Sequence, residues 1–461
     1  MLRIRIEYAL FYGLPHQTAQ PYRRLIFNQK REMTYQETLD FLFHSLPVFQ
    51  HVGGSAYKAG FERINALETV LGNPHRKIKS VHVAGTNGKG SVSHMIASSL
   101  MTAGYRTGLF TSPHLKDFRE RIRIDGQEIS EEEVVEFVER NREGIDRIQP
   151  SFFEITTAIA FDCFARHGVE IAVIEVGMGG RLDSTNIIRP MVSVITNIGY
   201  DHMQFLGDTL EKIAGEKAGI IKSDTPVVIG ETQPETAAVF IEKARSEWAP
   251  IRFADQMYRV IGSETVGLSR RFEIEKRTTG ECFTLESDLQ GIYQRKNVLT
   301  ALTALDVLNE SGVCTVSPDQ IRRGIASAAR ISGLKGRWQR LGERPLTVCD
   351  TGHNEAGLSE VTAQLAQQRY DRLYMVLGFV ADKDLDRVFP LLPRDAYYIF
   401  TKASIPRALD EQELARRAAA YGLQGECVPN VPEALALARS KASADDMIFV
   451  GGSTFVVAEI I

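Results

Sequence analysis

Apolar and β-branched residues come in short runs along much of the chain, and each run stops at a turn-forming or polar residue. SVHVAG (80–85), RTGLFTS (106–112), EIAVIEVG (170–177), MVSVITNI (191–198) and TPVVIGE (225–231) have the length and composition of buried strands. Between them lie segments with helical character: SVSHMIASSLMTAG (91–104), ISEEEVVEFVERNREGI (129–145) and TTAIAFDCFARHG (156–168). Two of these close on glycine, which best tolerates the left-handed turn past a helix end. The alternation predicts an α/β fold with a mainly parallel sheet and helices on both faces. Residues 255–289 change period: YRVIGSE, RRFEIEKR and GECFTLES alternate apolar with polar positions, which predicts an antiparallel meander.

The pattern also divides the chain. MTYQETLDFLFHSLP (33–47) reads as an amphipathic helix with Leu39, Leu42, Phe43 and Leu46 on one face. Residues 1–32 before it are basic, with no apolar core and no small-residue cleavage site, so they predict no signal peptide. They read as an N-terminal extension or a misassigned start. ISGLKGRWQRLGERP (331–345) has glycines, a proline and no apolar period, which predicts a linker over 331–340. The α/β rhythm then restarts with PLTVCDTG, RLYMVLGF, AYYIFTKA and DDMIFVGG. The expected organisation is a first domain over 33–330 and a smaller, doubly wound α/β C-terminal domain over 341–461.

Composition adds exclusions. With 461 residues, 44% hydrophobic and 24% charged, the chain is a soluble multidomain type, and a net charge of -4 gives no basic field for nucleic acid. No apolar run reaches the ~20 residues that span a bilayer. Cys163, Cys282, Cys314, Cys349 and Cys427 are scattered and form no CxxC pair, which points to a reducing, cytoplasmic setting.

The chemistry starts at AGTNGKGS (84–91), where a strand enters a helix through Gly85, Gly88 and Gly90. Such a loop lets backbone N–H groups converge on a phosphate, and the helix start adds a partial positive charge. Thr86 and Asn87 complete the loop, Lys89 supplies an ammonium for the outer phosphates, and Ser91 supplies a hydroxyl. The strict GxxxxGK[ST] pattern is not met: Val83 replaces its first glycine and Gly90 separates Lys89 from Ser91. A tight strand–helix turn without a ligand is the alternative. Ser112, Glu175 and His202 each close a strand-like run, and ligands of open α/β sheets gather outside the carboxyl ends of strands. A hydroxyl, a carboxylate and an imidazole there could hold a divalent ion beside a triphosphate, although Mg²⁺ prefers oxygen and His202 could equally be structural.

The loop is followed in order by FTSPHLKDFRERIRIDG, FFEITTAIAF, IEVGMGGRLDSTN, TNIGYDHMQFLGDTLEKIAGEKAGIIK, LQGIYQRKNVLTAL, GLKGRWQ, CDTGHNEAG, LGFVADKD and GGSTFVVAE. In order and spacing these motifs resemble the folylpolyglutamate synthase/dihydrofolate synthase family, grouped with the Mur-type ATP-dependent amide ligases. The resemblance runs from Met33 to Ile461. It implies a Mur-ligase-like P-loop domain, a Rossmann-like ligase domain, and ligation of glutamate to dihydropteroate or a folyl-glutamate with ATP through an acyl phosphate.

The resemblance also implies site roles. Ser112, Glu175 and His202 match magnesium ligands. Lys217 in GEKAGI matches a lysine that is carbamylated in the family, so that a second Mg²⁺ can be met. Its bland alternative is a surface lysine. Asn297, Arg337, Asp350 and His353 match nucleotide-contacting positions, and Phe153, Glu154 and Asp183 match positions near the pterin-bearing substrate. Phe152 and Phe153 could equally be core, and Asp350 a turn residue. GSAYKAGFERI (54–64) is expected to cover that substrate. Three departures from the family pattern stand out: Tyr293-Gln294 for its usual HQ, KGR for PGR, and HNEAG for HNPAG. The expected partners are small molecules, and the expected state is a monomer. Two rival readings are a Mur-type ligase for a non-folate carboxylate and a nucleotide-binding regulatory protein without ligase chemistry.

Overall fold

A computed structural model describes residues 33–44 and 60–461. The expected N-terminal extension, Leu46, and residues 54–59 of the expected covering loop lie outside the described residues.

The strand-like runs assemble as the apolar pattern predicts. The first sheet contains β1 (Lys79–Ala84), β2 (Thr107–Phe110), β3 (Ile122–Ile124), β4 (Gln127–Glu128), β5 (Ile171–Glu175), β6 (Val192–Ile195), β7 (Val227–Ile229) and β8 (Ile251–Phe253), in the order β4-β3-β2-β5-β1-β6-β7-β8. β2, β5, β1, β6, β7 and β8 run parallel, while β3 and β4 pair antiparallel at one edge. β1, β5 and β6 are buried on both faces. Val81, Val83, Val173 and Val194 pack on one face with the helix Lys89–Thr102, and Ala172, Ile174 and Phe110 pack on the other with the helix Phe152–Arg166. Continuous apolar runs rather than alternation are what two-sided burial requires.

The change of period at 255–289 also appears. β9 (Tyr258–Val266), β10 (Ser269–Lys276) and β11 (Glu281–Ser287) form an antiparallel three-stranded sheet in the order β11-β10-β9.

The second domain holds β12 (Gln339–Glu343), β13 (Leu346–Asp350), β14 (Leu373–Leu377), β15 (Tyr397–Phe400), β16 (Gly425–Cys427) and β17 (Met447–Gly451). Their order is β12-β13-β17-β14-β15-β16; all pairs are parallel except β12 with β13. The segment read as a linker is more ordered than its composition suggests. The short helix Ala328–Ser332 enters its start, and β12 begins at Gln339, before its expected end. Hydrogen bonds to β13 override the local glycine content there.

Sheet register places the chemistry. Val83 pairs with Glu175 and Val194, so the ends of β1, β5 and β6 open on one edge. Asp350 pairs with Gly451 at the corresponding edge of the second sheet. Among the described residues no helix is long and apolar enough to cross a membrane.

Candidate active site

The phosphate-type loop is fixed by what its glycines make room for. A Cβ on Gly85 would stand 1.8 Å from Thr196 Oγ1, and one on Gly88 would stand 2.3 Å from Asn297 Oδ1. Gly85 has φ 149° and Gly88 φ 82°, conformations that side chains oppose. The end of β6 holds the loop from beneath. Thr86 N donates to Asn197 O (2.9 Å), Asn87 N to Asn197 Oδ1 (2.9 Å) and Thr196 Oγ1 to Asn87 O (2.5 Å). The following helix begins at Lys89 with Gly88 as its N-cap. A glycine offers no side-chain acceptor, so the first N–H groups of that helix suit an anion. Lys89 Nζ lies back on its own loop, donating to Gly85 O (3.1 Å) and Thr86 O (3.2 Å).

The strand-end residues surround this lysine. Glu175 is buried and accepts from Ser112 N at 3.1 Å. Burial lifts its carboxyl above the usual range, opposed by the Lys89 charge and the Ser112 N–H. Burial pushes His202 down to about 4, so its imidazole is neutral at pH 7 and can offer a lone pair. Its backbone sits in the left-handed region, φ 51°, at the start of the turn Met203–Leu206. Lys217 is only 4% exposed, and burial together with the Lys89 charge pushes its ammonium down to about 7. The bland surface-lysine alternative is therefore not what the fold displays. Arg337 reaches across from the second domain, with Nη2 3.5 Å from where a Gly90 Cβ would stand. Asn297 donates to Gln294 Oε1 (2.8 Å), and Gln294 in turn donates to Ser91 Oγ (3.2 Å), tying the loop's helix to Gln294–Glu310.

Among the polar contacts between the two domains, two clusters lie beside the glycine loop. In one, Asp201 accepts from Lys383 Nζ (2.6 Å) and Asn354 Nδ2 (3.1 Å), with His353 Nε2 at 3.3 Å. Asn87 and Asn354 also exchange amide hydrogen bonds, both 3.1 Å. Burial alone would raise Asp201, but the His353 hydrogen bond and the His202, His353 and Lys383 charges hold it well below the carboxylate range. In the other cluster, Asp350 accepts from Tyr293 Oη (2.5 Å), Trp338 N (2.7 Å) and Gly352 N (2.7 Å), while Arg337 donates to Thr351 Oγ1 and Gly336 O.

Sequence reasoning singled out neither Asp201 nor Lys383. Their signal lay in GYDH and ADKD, motifs that were legible as motifs but gave no sign that the two residues meet across the cleft.

The residues expected near the pterin-bearing substrate separate. Phe152 is core, whereas Phe153 is partly exposed, with its ring against Gly177 and 5.9 Å from the Phe110 ring. Glu154 is buried and committed locally: it accepts from Ser151 N (2.6 Å) in a capping box and from Arg63 Nε (3.1 Å). Asp183 is also buried, accepting from Thr185 Oγ1 (2.5 Å), Thr185 N (3.0 Å) and Met178 N (3.0 Å). Both carboxylates brace the loops around Phe153. Nearby, the buried Arg121 donates to His114 Nδ1 (2.7 Å) and stacks 5.3 Å over Phe152.

Among the described residues no three His, Cys, Asp or Glu side chains are grouped to hold a metal ion by themselves. Glu175 and Ser112, held side by side by the Ser112 N–Glu175 hydrogen bond, carry oxygen donors of the kind Mg²⁺ takes.

Comparison with known proteins bears on this geometry. The Mur ligase middle domain matches residues 83–305, and the Mur ligase, glutamate ligase domain matches 336–454. The dihydrofolate synthase/folylpolyglutamate synthase of Bacillus subtilis (strain 168) is 34% identical over 414 residues, covering 87% of this chain and 94% of that protein. The folylpolyglutamate synthase of Lacticaseibacillus casei is 36% identical over 391 residues, 82% and 88% of the two chains. This chain belongs to the dihydrofolate synthase/folylpolyglutamate synthase family. Solved structures agree. Mycobacterium tuberculosis folylpolyglutamate synthase complexed with ADP and AMPPCP superposes with TM-score 0.82 at 31% identity, covering 92% of this chain and 97% of that one. Escherichia coli FolC in complex with DHPP and ADP gives TM-score 0.77 at 30% identity, covering 92% and 96%. In this member of the folylpolyglutamate synthase family the middle-domain match contains Lys89, Glu175, His202 and Lys217, and the glutamate ligase match contains Arg337, Asp350, His353 and Lys383. The junction between the two sheets is thus built from both matched domains.

Proposed function

We propose that this chain ligates L-glutamate to dihydropteroate, to a (tetrahydro)folyl-glutamate, or to both, using ATP and releasing ADP and phosphate. The observation that carries the reading is the cross-domain junction: a glycine loop without a side-chain cap and with Lys89 on the first domain, met by Arg337, His353 and Lys383 of the second.

In this reading the triphosphate lies on the N–H groups of the loop helix, and Lys89 turns from its own carbonyls to the outer phosphates. Asn297, Arg337, Asp350 and His353 contact the nucleotide. Ser112, Glu175 and His202 would hold Mg²⁺, with a carbamate on Lys217 able to meet a second ion; bound there, the metal neutralises phosphate charge. Lys217 suits carbamylation because an amine must be neutral to take up CO₂, and burial already brings it to about 7. Phe153 faces the pterin-bearing substrate, and Glu154 and Asp183 brace its surroundings.

The substrate carboxylate attacks the γ-phosphorus, giving an acyl phosphate and ADP. The α-amine of glutamate then attacks the acyl carbon, loses its proton, and phosphate leaves. In-line placement and charge neutralisation supply the acceleration, so no protein nucleophile is required. Arg337 and Lys383 keep both domains against the cleft, which shields the acyl phosphate from water.

The test is glutamate-dependent ADP release with purified protein, Mg²⁺ and ATP, using dihydropteroate and tetrahydrofolate as alternative acceptors. Release requiring glutamate and either acceptor supports the proposal and assigns the step. Glutamate-independent release, or none with either acceptor, overturns it.

A further inference from the structure

The turn before the helix Gln294–Glu310 carries polar contacts that the reaction scheme does not use. Gln364, buried on the second domain's helix Glu355–Leu365, grips this turn with both ends of its amide. Its Oε1 accepts from Ile292 N (2.8 Å), and its Nε2 donates to Gln290 O (3.2 Å). Gly291 lies under the Tyr293 ring, with a hypothetical Cβ 2.5 Å from the ring carbon that bears the hydroxyl. The ring is thereby fixed in direction, and its hydroxyl ends on Asp350.

Asp350 gathers three donors. Tyr293 Oη and Trp338 N meet Oδ2, and Gly352 N meets Oδ1. Trp338 follows Arg337, and Thr351, which Arg337 bonds, follows Asp350. The carboxylate therefore fixes both strands that present Arg337 to Gly90. One helical turn on from Tyr293, Asn297 touches the loop at Gly88. A single short segment thus reaches the phosphate loop with one residue and the opposing domain with another.

We propose that Tyr293 is a positioning residue for the nucleotide site: its phenol orients Asp350, and through it Arg337, over the phosphate loop. This rests on the nucleotide-binding reading above. Burial and the Asp350 charge keep the phenol protonated, so it remains a donor throughout the neutral range. Phe at this position deletes the donor, while His retains one.

The experiment measures ADP affinity by titration calorimetry and Michaelis constants for ATP and glutamate, on wild type, Tyr293→Phe and Tyr293→His. A hydrogen bond to a charged group sets the scale. Tyr293→Phe should weaken ADP binding and raise the ATP KM about tenfold, leave the glutamate KM within about twofold, and Tyr293→His should stay within about threefold of wild type. ADP binding by Tyr293→Phe as tight as wild type overturns the proposal. So does an equal rise in the ATP and glutamate KM values, which is general loosening of the domains, or a His variant as impaired as Phe. If the Phe variant does not fold, the His variant decides alone: retained ADP affinity supports the proposal, and a tenfold loss overturns it. Wild type that binds ADP without ligating glutamate sinks the folate reading while leaving Tyr293 to be judged on ADP; wild type that binds no ADP sinks both.

Discussion

Asp201 and Asp350 stand in two of the clusters that join the domains, Asp350 buried and Asp201 nearly so, yet their carboxyls are displaced in opposite directions. Asp201 is held well below the usual range because the His353 hydrogen bond and the neighbouring charges, Lys383 among them, outweigh its burial. Asp350 is raised, because burial outweighs a phenol, two backbone N–H groups and the Arg337 charge. The first cluster is ionic, with Lys383 on Asp201. The second is built mainly of neutral donors and continues into the Gln364 amide clamp. Charged partners can be exchanged for substrate charges at small net change, whereas buried neutral bonds exchange poorly. The ionic cluster is therefore suited to exchange partners, and the neutral one to hold Arg337 in place over the glycine loop.

Three substitutions test this division, from the largest effect downwards. Asp201→Asn leaves Lys383 and His353 facing an amide, and loss of a buried ionic partner costs roughly 3 kcal/mol. In steady-state assays kcat/KM for glutamate should fall by up to about a hundredfold, the limit reached when that whole cost falls on the closed, reacting state, since each ~1.4 kcal/mol is a factor of ten. An unchanged value would show that the ionic cluster takes no part. Gln364→Leu strips the clamp and leaves the buried Ile292 N–H unpaired, while Gln290 O keeps its bond from Arg270 Nε; this should lower the unfolding free energy in urea by about 2 kcal/mol while turnover per folded molecule changes less than about twofold. A larger loss of turnover than of stability would erase the distinction.

The third variant asks whether neutral design extends to the start of the linker. His94 Nδ1 lies 2.6 Å from Ser332 Oγ, and that hydroxyl donates to Ala328 O, so the imidazole must be the donor. Burial, with Arg123 and Arg337 nearby, pushes His94 down to about 3. The unfolded chain, with a histidine near 6.5, then binds the extra proton, so stability is complete above that pH and is lost as pH falls towards 3. The slope from this one group approaches about 1.4 kcal/mol per pH unit. His94→Gln should flatten the urea midpoint between pH 6 and pH 4 by about that slope, with little change at pH 7; an unaltered profile would show that His94 is protonated in the fold.

The sequence made the frame legible because two-sided burial writes itself as apolar runs, as in IAVIE of β5 and MIFVG of β17. The loop was legible because Gly85 and Gly88 occupy positions where a side chain has neither room nor an allowed backbone. The cross-domain partners were not. Asp201 and Lys383 are separated by 182 positions, and nothing local in GYDH or ADKD says that a carboxylate in one needs the ammonium in the other. Tyr293 was visible as a departure from HQ, but its use depends on the direction of one ring above Gly291. Glu154 was read as a substrate carboxylate, yet SFFE is also a capping box, and both of its backbone and side-chain bonds form.

β17 sits between β13 and β14, with Met447 beside both Leu346 and Leu373. A ribosome delivers Asp350 and Lys383 well before the strand that seats their two loops side by side. The phosphate loop, by contrast, has its neighbours β5, β6 and the Asn297 helix in hand by residue 310. A polypeptide halted short of Met447 would leave the second sheet without its central strand. During biosynthesis, the glycine loop and the second-domain residues that meet it are thus put in place at separate moments.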